Sequence, residues 1–111
     1  MLPKKHRLPG KIISSIKKGG RKFFTPLAMT LATKSSLPTL RATISVSSKV
    51  SSLATKRNRL KRMFRHALFH HHSLFPPGFD VVIIPKKASQ EASFSQIKKD
   101  MAALIHMLSN R

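Results

Sequence analysis

Six cations fall within the ten positions Lys56 to Arg65, in the stretch TKRNRLKRMFRH, and Asn58 stands between two of the arginines. Like charges at helical spacing repel one another, so this stretch calls for negative charge from outside the chain. Guanidinium and ammonium groups hold phosphates by charge-assisted hydrogen bonds, whereas an amide both donates and accepts. The chemistry available here is recognition of a polyanion. Asn58 suits a base edge, a 2′-hydroxyl or the orientation of its arginine neighbours. Phe23 and Phe24, beside Arg21 and Lys22, mix rings with cations as a base-stacking surface does. The same pair also suits one core ring and one partly exposed ring.

Bond-breaking chemistry by the polypeptide finds no comparable pattern. Asp80, Glu91 and Asp100 are scattered over three segments, which leaves no obvious carboxylate pair and no oxygen-rich metal cage. Without cysteine there is no thiolate nucleophile, disulfide or thiolate metal site. No G-x-S-x-G, phosphate-binding glycine loop or H-E-x-x-H is present. His66 and His70 have chelating i, i+4 spacing and a His triplet fills 70–72, but no cysteine or nearby carboxylate joins them. They read as helix-end histidines that gain charge below about pH 6.5 or touch RNA. We assign no catalytic residue, no metal site and no tightly bound cofactor.

The whole chain carries the same bias. Its 22 Lys and Arg against three acids give a net charge of +19 on 111 residues, and 41% of the residues are apolar. One domain over 1–111 is expected, with 1–9 and 109–111 flexible. Such a field favours a polyanionic partner, with nucleic acid first. No apolar run approaches the roughly 20 residues of a membrane span. MLPKKHRLPG lacks the apolar stretch of a secretory signal. Eight cations and no acid in the first 22 residues would suit a transit peptide, but the Pro9–Gly10 break interrupts amphipathic continuity. The lack of cysteine fits a reducing cytoplasm.

These residues must be positioned by secondary structure. Ile12, Ile13 and Ile16 predict a short helix over 10–20 that ends at a glycine pair. FFTPLAMTLAT (23–33) reads as a strand with Leu27, Met29 and Leu31 on one face. SSLP (35–38) reads as a turn, and TLRATISVSSKV (39–50) as the second strand of a hairpin with it. In the basic helix, 55–70, Leu60, Phe64, Ala67 and Leu68 cluster within about a quarter of the circumference. Asn58, Lys61, Arg62 and Arg65 lie opposite, flanked by Arg57 and Arg59. No acid occurs between Arg41 and Asp80, so this is not the mixed-sign face of ordinary solvated surface.

After the FPPGFD break, FDVVIIP (79–85) reads as a short buried strand. Lys86 and Lys87 follow it as a solvated turn or a peripheral phosphate contact. Ser93 and Gln96 have capping-box spacing, and Phe94, Ile97, Met101, Leu104, Ile105 and Leu108 form an apolar stripe. Lys98 and Lys99 read as solvated surface. The order is helix, two or more strands, basic helix, strand, helix: a compact α+β domain.

TISVSSKV (43–50), KRNRLKRMFRHA (56–67), PPGFDVVIIPKK (76–87) and SFSQIKKDMAAL (93–104) occur in an order and spacing that resemble the protein subunit of bacterial ribonuclease P. MLPKKHRL resembles that family's opening. The most specific motif, R-N-R-x-K-R-x-x-R, is present as Arg57, Asn58, Arg59, Lys61, Arg62 and Arg65. The resemblance implies an αβββαβα fold like ribosomal protein S5 domain 2, with a left-handed β-α-β crossover where the general rule gives a right-handed one. It implies a non-catalytic, cytoplasmic protein bound 1:1 to a catalytic RNA. That RNA, with Mg²⁺, removes the 5′ leader of precursor tRNA, and no membrane or small-molecule substrate is involved. The RNA-binding set it implies is the motif with Lys49 and Lys56. Candidates for a leader cleft beside the sheet are Ile12, Ile16, Phe23, Phe24 and Met29. Three departures stand out: His66 where the family has Glu, Ser48 where it has a second Lys, and isoleucines where the first helix has aromatics. A small ribosomal-type RNA-binding protein would share this composition, and only the ordered motifs separate the two.

Overall fold

Alternating apolar residues, punctuated by glycine and proline, divide the chain into helices and strands. The computed structural model describes residues 8–110. Helix α1 (Gly10–Gly19) leads into β1 (Arg21–Phe24) and β2 (Ala28–Lys34), followed by β3 (Arg41–Ile44). Helix α2 (Ala54–His70) and a 3₁₀ turn at His72–Leu74 precede β4 (Phe79–Pro85). A second 3₁₀ turn, Lys87–Glu91, then leads into α3 (Phe94–Ser109). This is the expected αβββαβα order. Among the described residues, no helix is long and apolar enough to cross a membrane.

The four strands lie in the order β1-β2-β4-β3. β1 and β2 are antiparallel, with Phe24 opposite Met29. β2 and β4 are antiparallel, with Met29 opposite Ile84. β3 and β4 are parallel, with Arg41 opposite Asp80. The expected hairpin between 23–33 and 39–50 is therefore corrected: β4 lies between those two strands, and the hairpin joins β1 to β2 around Thr25–Leu27. Pro26 interrupts the first segment, and the second pairs only over Arg41–Ile44. β4 goes to the middle because Val81, Val82 and Ile83 have no exposed surface, so both of its faces need cover.

Two helical layers supply that cover. Val82 and Leu31 pack with Ile16 and Leu8 beneath α1. Val81, Ile83, Ala28 and Ala32 pack with Leu60, Phe64 and Leu68 of α2 and Ile97, Met101 and Leu104 of α3. α3 begins at the predicted capping box, with the Ser93 hydroxyl accepting from the Gln96 N–H and the Gln96 side chain accepting from the Ser93 N–H. Phe94 leaves the predicted stripe, since it is exposed and carries the Lys98 ammonium 5.4 Å from its ring centroid. Lys98 is thus packed rather than simply solvated. Leu8, expected in a flexible end, is buried, and its N–H donates to the Ala42 carbonyl at 3.3 Å. The rest of the MLPKKHRL opening and Arg111 lie outside the described residues. At Gly20 a Cβ would come within 2.5 Å of the Ile16 carbonyl oxygen, so the turn from α1 into β1 requires glycine.

Candidate nucleic-acid interface

α2 contains no glycine or proline, and its buried residues Leu60, Phe64, Ala67 and Leu68 recur at i, i+4, i+7 and i+8. Local electrostatics work against it. Its N-cap is Leu53, which offers no side-chain acceptor, and its first turn holds Lys56 and no acid. Positive charge at a helix N-terminus opposes the helix dipole, so packing of the apolar stripe holds this helix in place.

Opposite that stripe and along its edges the cations reach the surface. Lys56, Asn58, Arg59 and Arg62 are exposed, and Arg57, Lys61 and Arg65 are half-buried. Half-burial of long basic side chains lays their methylene stems on the core while the charged heads reach water. Among the described residues the ion pair present is Arg41–Asp80, far from this face in the chain. Arg57 is oriented internally, its Nη1 donating to the Ser51 carbonyl at 2.9 Å. That bond ties the motif to the loop carrying Lys49, which is exposed beside buried Val50.

The cleft candidates separate by strand register. Side chains at paired positions share a face, and alternate positions point oppositely. Phe24, Met29 and Ile84 lie on the α1 side of the sheet, with Lys22 two residues before Phe24. Phe24 is 61% exposed. Lys86 stands with its Nζ 5.7 Å from the Phe24 ring centroid and donates to the Thr25 carbonyl at 2.9 Å. Phe23 lies on the opposite face and packs against the main core. Ile12 is half-buried beside the α1 cluster, while Ile16 is 1% exposed within it and has no surface to offer a base. From its sequence position Lys86 is expected only in a solvated turn or at a peripheral phosphate contact. Its place follows from Pro85 pairing with Ala28, which brings the end of β4 to the β1–β2 turn.

The remaining titratable groups are largely engaged. Both Asp80 oxygens accept from Arg41, Nε at 2.8 Å and Nη2 at 2.7 Å. The hydrogen bond to Asp80 raises the Arg41 guanidinium above its ordinary value, against the opposing effect of desolvation. Asp100 is buried, and accepts from the Thr25 hydroxyl at 2.5 Å and the Leu27 N–H at 3.2 Å. His71 Nε2 lies 3.1 Å from the Lys98 carbonyl and His72 Nδ1 3.0 Å from that of Phe69. Among the described residues no three metal-ligating side chains come together.

The family model described as Ribonuclease P matches residues 2–109. A ribonuclease P protein component of Synechocystis is 58% identical over 41 residues, which cover 37% of this chain and 33% of that protein. One from Bacillus cereus strain B4264 is 38% identical over 74 residues, covering 67% of this chain and 61% of the relative. The matched region thus spans less than two thirds of either relative's length. The solved RNase P protein from Thermotoga maritima superposes with a TM-score of 0.80 at 27% identity, covering 95% of this chain and 96% of that one. The RNase P protein of Staphylococcus aureus shares the fold with a TM-score of 0.79 at 21% identity, covering 93% and 94% of the two chains.

Proposed function

The chain belongs to the ribonuclease P protein family, and from that premise we propose that it is the protein subunit of ribonuclease P. In this reading it holds the catalytic RNA and the 5′ leader of precursor tRNA while the RNA removes the leader. The observation that carries it is the cationic comb of α2, a helix with no acid of its own, where among the described residues Lys56, Arg59, Lys61, Arg62 and Arg65 stand without ion-pair partners. A comb of this kind fits the regularly spaced phosphates of a folded RNA. Asn58, exposed among them, suits a base edge or 2′-hydroxyl.

The leader would run along the α1 side of the sheet, past Lys22, Phe24, Met29 and Lys86. Phe24 offers the stacking surface there that Ile12 lacks. Mg²⁺ held by the RNA supplies the hydrolytic chemistry, and the protein contributes position and charge. One protein per RNA, in the cytoplasm, completes the proposal.

The test is reconstitution of the full chain with a bacterial ribonuclease P RNA and precursor tRNA at low Mg²⁺. Cleavage at the mature 5′ end should rise when protein is added, the protein alone should be inert, and Arg62→Ala should weaken the stimulation. RNA-alone rates unchanged by the protein would overturn the reading in favour of a purely structural RNA-binding role.

A further inference from the structure

The chain has three acidic residues, and two of them have structural work. Asp80 is held by Arg41, and Asp100 clamps the β1–β2 turn to α3. Glu91 is different. It is exposed, it has no ion pair among the described residues, and it shares with the basic helix a groove lined also by Lys56, Arg59, Leu60, Met63, Gln90 and Ala92. A carboxylate beside a surface built for phosphates repels the ligand, unless it recognises something other than phosphate.

The groove is small and chemically divided. Its volume of about 230 Å³ lies below the roughly 300–1,000 Å³ of sites for drug-sized ligands. Leu60 and Met63 of α2, with Ala92, supply an apolar floor. Lys56 and Arg59, three residues apart, share one flank of the helix. Gln90 and Glu91 form the opposite wall. That wall is fixed on both sides. Ser89 is fully buried and its hydroxyl donates to the Lys86 carbonyl at 2.6 Å, and the Ser93 capping box follows directly.

Resting on the reading of α2 as an RNA-binding helix, we propose that this groove takes one unpaired guanine of the bound RNA. Its phosphate sits between Lys56 and Arg59, its ring lies on Met63 and Leu60, and its Watson–Crick edge meets Glu91. An ionised carboxylate only accepts, through two oxygens. Guanine presents two adjacent donors on that edge, N1–H and the N2 amine. Cytosine and adenine present one exocyclic amine each, and uracil a single N–H. The two-acceptor wall therefore selects guanine, and α2 gains a sequence-reading element beside its phosphate contacts.

The test uses the full chain and the pentanucleotides UUGUU, UUAUU, UUCUU, UUUUU and UUIUU, where I is inosine, which keeps N1–H but lacks the N2 amine. Binding is followed by fluorescence anisotropy at fixed low salt and by the Met63 methyl resonance. UUGUU should bind at least about fivefold more tightly than UUAUU, UUCUU or UUUUU, as a bidentate base contact does. UUIUU should fall between, and the Met63 methyl should shift upfield under the base. Glu91→Gln and Glu91→Ala should bind UUUUU as tightly as wild type or tighter, because a negative charge is gone, yet lose the guanine preference. Equal binding of all five by wild type, or a guanine preference intact in both variants, overturns the inference. Arg62→Ala separates the two levels: if it weakens every oligonucleotide while guanine has no advantage, this inference fails and the RNA-binding reading stands.

Discussion

Arg62 and Lys99 each carry one positive charge on an exposed helical position, and their surroundings differ. Arg62 has cationic neighbours and no acid on its own helix, so it can share a phosphate ligand with them. Lys99 stands on α3 next to Asp100. Losing one charge-assisted contact costs roughly 1.5–3 kcal/mol, so Arg62→Ala or Arg65→Ala should lower affinity for the ribonuclease P RNA by about ten- to a hundredfold. Lys99→Ala should lose well under 1 kcal/mol in the same filter-binding assay. Equal losses would reduce α2 to part of a diffuse positive cloud. Lys98, packed on Phe94, is a poorer control than its sequence suggests. Arg41 belongs to stability instead. Its side chain is 15% exposed and that of Asp80 7%, so Arg41→Ala strands a desolvated carboxylate and should cost about 3 kcal/mol or more in urea unfolding.

At the scale of elements, α2 is held by its tertiary contacts and opposed by its own N-terminus. Leu53 has the extended backbone of an N-cap, φ −87° and ψ 120°, and is 53% exposed. Leu53→Ser should therefore add a missing capping bond and raise stability by about 1 kcal/mol, read as a higher urea midpoint with unchanged slope. Helices were the legible part of the sequence. The Ser93–Gln96 box and the α2 stripe announce themselves through local spacing, and so does the face that carries the comb. Strand pairing was not legible in the same way. Ser35–Pro38 looks like the stronger turn, yet Pro26 marks the hairpin. Nothing local tells β2 that its second neighbour lies about fifty residues downstream. The unbroken apolar run in β4 was the available signal, because a strand with two buried faces belongs inside a covered sheet. The cleft residues suffered for the same reason: without the register, nothing tells which of Phe23 and Phe24 takes the core face and which the α1 face.

For the whole molecule, the net charge of +19 sets the behaviour. Self-repulsion is relieved by screening and by anions bound to the native state. Adding sulfate at constant pH should raise the melting temperature, and a flat response would remove self-repulsion as a destabilising force. RNA affinity should fall steeply with salt. If α2 neutralises about four phosphates of a duplex region, the log–log slope is near −4. A slope near zero would place the driving force elsewhere.

The central position of β4 has a consequence for synthesis. A ribosome makes β1, β2, β3 and the whole of α2 before it makes the strand that joins β2 to β3. Until residues 79–85 leave the exit tunnel, β3 has no sheet partner and the apolar stripe of α2 has no complete surface to cover. The nascent polypeptide is then a polycation with an exposed hydrophobic helix, emerging from a particle made largely of RNA. Folding must wait for distant contacts, so protease resistance should appear late and abruptly in arrested chains of increasing length. Chains stopped before Pro85 should remain fully digestible.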